Sequence, residues 1–493
     1  MVFKLLTSMH RVLGFLLSAL FFLWFASGIV MIYHSFPRAT QEKRVRNLAE
    51  LSPGELPSLA RLPEALPDTA RARSLSLELH GGRAVLSLSG KGVPKQLYAD
   101  SLTPPPPYDA TRIGEVVAEW CPSPVLRVDT VWKPDQWIPF GRPREAFPIY
   151  KYIFDDPERH ELYISPKEGR VLQLTDREER VWAWLGAIPH WVYFTVLRQN
   201  QPVWINFVKW TAGIGAIMCL VGWLLSVRIS LRSHRLQPYK KRWYRWHHLL
   251  GLVFGLFAAT FAFSGMMSLM DIPDWLKKAP KERRESRPPF FRRGGGEALP
   301  LDRYTLDYRK AIAFTPGVKR VEWSGWNRHP YYRLTTNTRS YNIDASDRLS
   351  AHPFRLTEAM VRQEMEKLYG DSVRWRLELI TAFDDDYFSR KPDADALPVY
   401  RATVEDEMHT RHYYNPQTLR SWRVDDDSRT RHLLYRGLHC LDFKFLTDRP
   451  WLWTAVMYTL MIGGTLLSLT GVALGLRWMT RKLKHLLNNN HSK

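Results

Sequence analysis

Four histidines occupy matched places in this chain. The stretches "HRVLGFLLSALFFLWFASG", His10 to Gly28, and "HHLLGLVFGLFAATFAFSG", His247 to Gly265, align without a gap. They share the opening histidine, Leu13/Leu250, Gly14/Gly251 and the closing Ser-Gly pair. His190 and His439 form a second matched pair, each just before another apolar segment. Two imidazoles opposed across a gap, each from a different helix, make the geometry of six-coordinate haem iron, and bundles build such sites from facing side chains. The duplication therefore predicts His10 opposite His247 and His190 opposite His439, as axial ligands of two haem groups near opposite membrane surfaces. Gly14 and Gly251, one turn from the histidines, are expected to clear the porphyrin faces. His34 and His248 are weaker candidates, being unpaired in the repeat, although His34 could substitute on the outer side. The plain alternative is that a histidine at a helix mouth is an interfacial polar residue, and that "GLVFG" is a G-x-x-x-G packing motif.

The elements that must hold these residues are membrane spans. A hydrocarbon core of roughly 30 Å needs about 20 apolar residues in a helix. Four segments qualify: Val12–Tyr33, Trp204–Val227, Leu249–Met270 and Trp451–Leu476. The loop between the second and third spans holds Arg228, Arg232, Arg235, Lys240, Lys241, Arg242 and Arg245 without an acid, and the tail adds Arg477, Arg481, Lys482 and Lys484. By the positive-inside bias these parts are cytoplasmic, as is the N-terminus with Lys4 and Arg11. Much of the net charge of +21 is then a topology signal rather than a nucleic-acid surface. The first span reads as an uncleaved anchor, because its apolar run is too long for a signal peptide and no small-residue cleavage site follows.

The repeat continues outside the spans. "ELYISPKEGRVLQLTDREERVWAWLGAIPHWVYF" and "RHYYNPQTLRSWRVDDDSRTRHLLYRGLHCLDF" each give a strand, a turn at Pro166 or Pro416, a second strand, a charged linker and an aromatic stretch carrying the histidine. The chain thus reads as a duplicated 2+2 bundle of four transmembrane helices with two α+β extracytoplasmic domains. Its parts are a first span (1–34), an outer domain (35–181), an interfacial segment (182–202), a second span (203–229), a basic loop (230–246) and a third span (247–270). A second outer domain (271–431), interfacial segment (432–450), fourth span (451–477) and tail (478–493) follow. Internal symmetry of this type often places a functional site between the halves. "SLSLELHGGRAVLSLSG" alternates as two strands around a Gly-Gly turn, and "TEAMVRQEMEKLYGD" has helical spacing ending at glycine. "DWLKKAPKERRESRPPFFRRGGGEALP" reads as a charged linker.

Other chemistry is weakly signalled. The acid runs Asp384–Asp386 and Asp425–Asp427 could attract a cation, as could His409 and His412, but consecutive acids are more often a solvated face. Of three cysteines, Cys219 lies inside a span, leaving Cys121 and Cys440 able to pair with nothing requiring it. No Ser-His-Asp, H-E-x-x-H, C-x-x-C-H or phosphate-loop pattern occurs. The Trp and Tyr around 182–210 and 451–458 fit an interfacial aromatic belt.

The spans "HRVLG…SG" and "HHLLG…SG", the strand pairs "YISPKEGRVL" and "YYNPQTL", and the segments "IPHW" and "GLHC" together resemble the PepSY-associated transmembrane family of bacterial inner-membrane proteins. The resemblance covers about half of the chain. It implies two PepSY-like periplasmic domains and two b-type haems, with His10 and His247 as cytoplasmic-side ligands and His190 and His439 as periplasmic-side ligands. It also implies an oxidoreductase that reduces a ferric siderophore in the periplasm. With no dinucleotide or flavin fingerprint in the sequence, the electron donor is expected to be a separate protein or a membrane quinol. Two other readings stand beside this one: a non-enzymatic membrane-anchored binding or regulatory protein, and a haem protein passing electrons to a periplasmic partner.

Overall fold

A computed structural model of the chain describes residues 1–60, 62–66, 71–139, 147–279, 298–390 and 396–490. Four helices are long and apolar enough to cross a membrane: Val2–Met31, Gln201–Ser233, Arg242–Met267 and Pro450–Lys482, the last within a longer helix, Pro450–Asn490. Each begins before its apolar run does. The first three have 30, 33 and 26 residues. With a rise of about 1.5 Å per residue, all of them exceed the hydrocarbon thickness. The flanking Lys4, Thr7 and Arg11, and Arg242 to Arg245, stay helical because nothing among them breaks a helix. His10 and His247 consequently sit more than one turn inside their helices, not at the mouths that the apolar runs suggest. Residues such as Leu16, Ile217, Val253 and Leu466 point out of the bundle and stay exposed, while Phe21, Phe25, Ala258, Phe261, Met457 and Met461 fill its interior. The first span packs against the fourth and the second against the third. Gly255 of the G-x-x-x-G lies against Trp223 of the second span, so that motif does serve helix packing.

Each half also contributes seven strands among the described residues. The first half supplies β1 (Arg71–His80), β2 (Arg83–Lys91), β3 (Gln96–Tyr98), β4 (Val125–Val131), β5 (Ile149–Phe154), β6 (Glu161–Ser165) and β7 (Arg170–Thr175). The second supplies β8 (Arg320–Trp326), β9 (His329–Thr335), β10 (Ser340–Asp344), β11 (Trp375–Ile380), β12 (Val399–Val404), β13 (Arg411–Tyr414) and β14 (Ser421–Val424). The Gly81-Gly82 turn joins β1 to β2 with both glycines at positive φ (56 and 78), the conformation that a tight hairpin requires. Helix Glu358–Tyr369 is capped by the Thr357 side chain and ends at Gly370. Strands β4-β5-β6-β7 and β11-β12-β13-β14 make two equivalent four-stranded sheets. The linker at 274–300 lies for the most part outside the described residues.

The two outer segments are not independent. Strands β1–β3 and β8–β10 form one six-stranded sheet, ordered β10-β9-β8-β1-β2-β3. At its centre β1 pairs antiparallel with its own counterpart β8, through Leu75–Trp323, Ser76–Glu322 and Leu77–Val321. Leu77, Leu86, Val321 and Leu334 are fully buried in its core. Glu78, also buried, receives Arg320 from the other half and Arg44 from its own. A lone buried carboxylate is costly, and two guanidinium partners offset that cost.

The acid runs serve the fold. Asp384 is held by Arg401 and Tyr413, and Asp386 by Arg411 and Arg429. Asp425 caps helix Asp426–His432, as Asp176 caps Arg177–Leu185 in the first half, so the "charged linkers" are capped helices. His412 bonds Tyr369, and His409 pairs with Asp426. All three cysteines are free thiols.

Two tests follow from this packing. Leu77→Ala leaves a cavity where the halves join and should cost about 2–5 kcal/mol, read as a lowered thermal midpoint. Asp344, in β10, pairs with His329 at 2.6 Å. Burial alone would raise its pKa, but hydrogen bonds from His329 and Ser346 more than reverse this and hold it at about 2. A carboxylate depressed in this way stabilises the fold above its unfolded pKa of 3.8 and loses that contribution as pH falls through about 2. The stability deficit of Asp344→Asn should therefore be larger at pH 5 than at pH 2. A deficit that persists unchanged at pH 2 would assign the effect to packing.

Candidate functional site

The four repeated histidines meet in two pairs. The rings of His10 and His247 have centroids 6.1 Å apart, and those of His190 and His439 lie 6.0 Å apart. Each pair joins equivalent residues of the two halves. Two metal–nitrogen bonds of about 2 Å, with about 1 Å from each bound nitrogen to its ring centre, give about 6 Å between imidazoles that share one metal ion.

Each ring is oriented by acceptors on a helix of its own half. His190 sits on the short helix Ala187–Trp191, which the left-handed residue Val192 ends. Its Nδ1 lies 3.0 Å from the Trp24 carbonyl and 3.4 Å from Ser27 Oγ. His439, on Leu438–Cys440 before left-handed Leu441, places Nδ1 3.2 Å from the Phe261 carbonyl and 3.2 Å from Ser264 Oγ. Trp24/Phe261 and Ser27/Ser264 are the same positions of the repeat. His10 Nδ1 lies 3.1 Å from the Met218 carbonyl. His247 Nδ1 lies 2.9 Å from Thr470 Oγ1, whose own proton goes to the Leu467 carbonyl. A carbonyl only accepts, so Nδ1 carries the proton, and in the neutral ring Nε2 keeps its lone pair. Among the described residues no hydrogen bond engages Nε2 of these rings. This is the tautomer a metal-ligating histidine adopts, with the other nitrogen donating to a fixed acceptor.

Glycines shape the floor under the rings. An added Cβ at Gly222 would lie inside the contact distance of His10 Cε1, and at Gly471 it would reach 3.7 Å from His247 Cε1. At Gly28 and Gly265 it would lie 3.4 and 3.6 Å from the Cε1 atoms of His190 and His439. Gly14 and Gly251 do not border the rings. They face Met218 on the second span, and Ser226 and Leu467, respectively. The Ser-Gly pair that closes each aligned span was the available signal, since both of its residues touch a histidine.

Two tryptophans position the outer pair. Trp204 Nε1 donates to the Trp191 carbonyl at 2.8 Å, and its counterpart Trp453 donates to the Cys440 carbonyl at 2.9 Å. Both pin the residue after the histidine to the start of a span, a role that an interfacial-belt reading misses. His34 stacks on Trp182 with centroids 4.1 Å apart. His248 bonds Ser230 at 2.9 Å and meets Tyr239 edge to face. Neither joins a pair.

The donor set suits haem iron: two imidazoles paired at six-coordinate spacing, fixed through Nδ1, with helix backbone bared by glycine. Trp24 Nε1, on the residue whose carbonyl orients His190, is a buried donor without a partner among the described residues. Along the first span, the rise from His10 to Trp24 places the two pairs about 21 Å apart along the bundle. The rings of Phe21, Phe25 and Phe261 cluster at the outer end of that interval, with neighbouring centroids 6.3 and 6.0 Å apart, and Phe261 stands 6.2 Å from His439. Separately, a cleft of about 570 Å³ in the outer sheets is lined by Arg303, Arg328, His329 and Trp326. No family model matches this chain, and no curated protein matches it in sequence.

The glycine floor is unequal, and that is testable. Gly222→Ala must displace the His10 ring, an overpacking cost of about 1–3 kcal/mol. Gly265→Ala meets only ordinary contact and gains up to about 1 kcal/mol of helix propensity. The first should lower the thermal midpoint by several degrees and the second should leave it unchanged or raised. Equal effects would mean that the glycines do not shape the ring sites.

Proposed function

We propose that this chain is a di-haem transmembrane electron carrier that reduces a ferric chelate, of the ferric-siderophore type, at the periplasmic face of a bacterial inner membrane. The observation that carries this reading is the pair of equivalent histidine pairs at six-coordinate spacing. His10 and His247 would hold the inner haem b, and His190 and His439 the outer one. When bound, such groups supply one-electron relay stations. The chain's own residues do the rest: Nδ1–H donation to main-chain and hydroxyl oxygens makes each Nε2 a stronger donor and fixes its ring. Phe21, Phe25 and Phe261 pack in the bundle interior beside the outer pair.

Orientation follows the basic residues. The arginine- and lysine-rich 228–245 loop lies toward the His10 end, so that end is assigned to the cytoplasm and the sheets to the periplasm. A separate protein or a membrane quinol would donate electrons at the inner pair. At the outer pair one electron would convert the chelate's iron(III) to iron(II), which hard oxygen ligands hold less tightly. The PepSY-associated resemblance supports the same assignment, with the four-stranded sheets and their helices as PepSY-like modules. The cationic and aromatic lining of the outer cleft suits an anionic chelate.

The reading is tested by a reduced-minus-oxidised absorption spectrum of the purified protein, with haem quantified per chain. Two b-type haems are expected, falling to one in His10→Ala or His247→Ala, and to one in His190→Ala or His439→Ala. Reduced protein should then be reoxidised by a ferric hydroxamate. A colourless protein made with ample haem would overturn the redox reading. A haem protein that ferric hydroxamate fails to reoxidise would overturn the acceptor alone.

A further inference from the structure

The two four-stranded sheets repeat one loop with different chemistry. Between β5 and β6, Asp156 Oδ1 accepts from the His160 amide at 3.0 Å, and Arg159 N–H donates to the Asp156 carbonyl at 3.0 Å. Between β12 and β13, Asp406 Oδ1 accepts from the Thr410 amide at 2.8 Å, and His409 N–H donates to the Asp406 carbonyl at 3.1 Å. Arg159 and His409 both take left-handed φ, 51 and 48. In the second half the other Asp406 oxygen accepts from the Thr410 hydroxyl at 2.8 Å, which completes the turn. A short hydroxyl is therefore all that the loop requires.

The first half puts an imidazole there instead and brings a thiol to it. His160 Nδ1 lies 2.8 Å from Asp156 Oδ2. Cys121, which follows helix Ala110–Trp120, places Sγ 3.7 Å from the same oxygen. One ligand atom from each of the three lies within 4.8 Å of the other two. Cys121 is buried and a free thiol, while His160 keeps a solvent-facing edge. In the second half the position matching Cys121 is Asp371, which is exposed. Neither the thiol nor the imidazole is needed by the fold that the halves share.

We propose that Cys121, Asp156 and His160 form a zinc site, separate from the four paired histidines and independent of whether those hold haem. Thiolate, imidazole and carboxylate are the ligand types that Zn²⁺ takes, at about 2.3, 2.0 and 2.0 Å. A tetrahedral ion holds such donors about 3.3–3.7 Å apart, so the His160–Asp156 contact needs to open by only about half an ångström. The sulfur disfavours hard cations such as Ca²⁺ and Mg²⁺. Three protein ligands leave a fourth position, which opens beside the exposed edge of His160 to water or to a donor from another molecule.

The test uses full-length protein in detergent, stripped with a chelator and titrated with Zn²⁺ against a chromophoric competitor. His160→Thr gives the first half the residue its counterpart uses, so it should fold with an unchanged metal-free thermal midpoint. Loss of an outer-shell partner alone costs about 10–100-fold in metal affinity, so loss of this ligand should weaken one zinc equivalent by more than about tenfold. Zinc bound at the paired histidines would be retained in parent and variant alike, so the readout is the difference of one equivalent. The zinc K-edge spectrum of zinc-saturated parent protein should show sulfur in the first shell, absent in Cys121→Ser. Identical titrations of parent and His160→Thr, or a first shell without sulfur, would overturn the proposal.

Discussion

The antiparallel pairing of β1 with β8 is the constraint on which the rest of this architecture turns. A strand that pairs antiparallel with its own copy creates a two-fold axis through the pair, and each half is then related to the other by it. The pairing is short, three residue pairs, yet it is firmly registered. Leu75, Leu77, Val321 and Trp323 are buried, so a slip of one residue would turn that apolar set to the wrong face. The buried Glu78 fixes the same register through Arg320 of the opposite half. With the axis set, the packing of the first span on the fourth and of the second on the third repeats one arrangement twice. Residues near the axis, the histidines among them, meet their own counterparts.

Meeting across an axis is not enough to make a site, because an imidazole also needs an orientation. Here each ring is oriented within its own half, by an acceptor on a neighbouring helix, and is opposed by the other half. That division of labour makes the ring positions a property of helix packing rather than of side-chain preference. The left-handed residues Val192 and Leu441, with Trp204 and Trp453, stop the outer histidine segments at equal depth. They do so although one half breaks its helix at Gly186 and the other winds a π turn at Leu433–Gly437. The one-residue difference between the halves is absorbed earlier still, at a bulge in β7, where Tyr163 pairs with Gln173 but Ile164 with Val171, whereas β13 and β14 pair without one.

Duplication also leaves one copy free to depart from the other. Asp406 with Thr410 shows what the loop between sheet strands needs for its fold, and Asp156 with His160 and Cys121 shows what has been added. The inner glycines differ in the same sense, Gly222 lying closer to its ring than Gly471.

Periodicity and spacing are local properties that survive without a fold, so the four apolar helices, the duplication and the identity of the repeated histidines were legible in the chain alone. So were the Gly-Gly hairpin and the helix that ends at Gly370, whose signals lie within a few residues. Other features exist only once the chain has packed. One is the fusion of both outer segments into one sheet, since strand partners as distant in sequence as Leu75 and Trp323 leave no local mark. Others are the glycines that face the rings, Gly28, Gly222, Gly265 and Gly471 rather than Gly14 and Gly251. Which side of a helix meets a neighbour depends on where that neighbour packs. The grouping of Cys121 with His160 was equally invisible, because a helix end and a hairpin loop become adjacent only when the sheet between them forms.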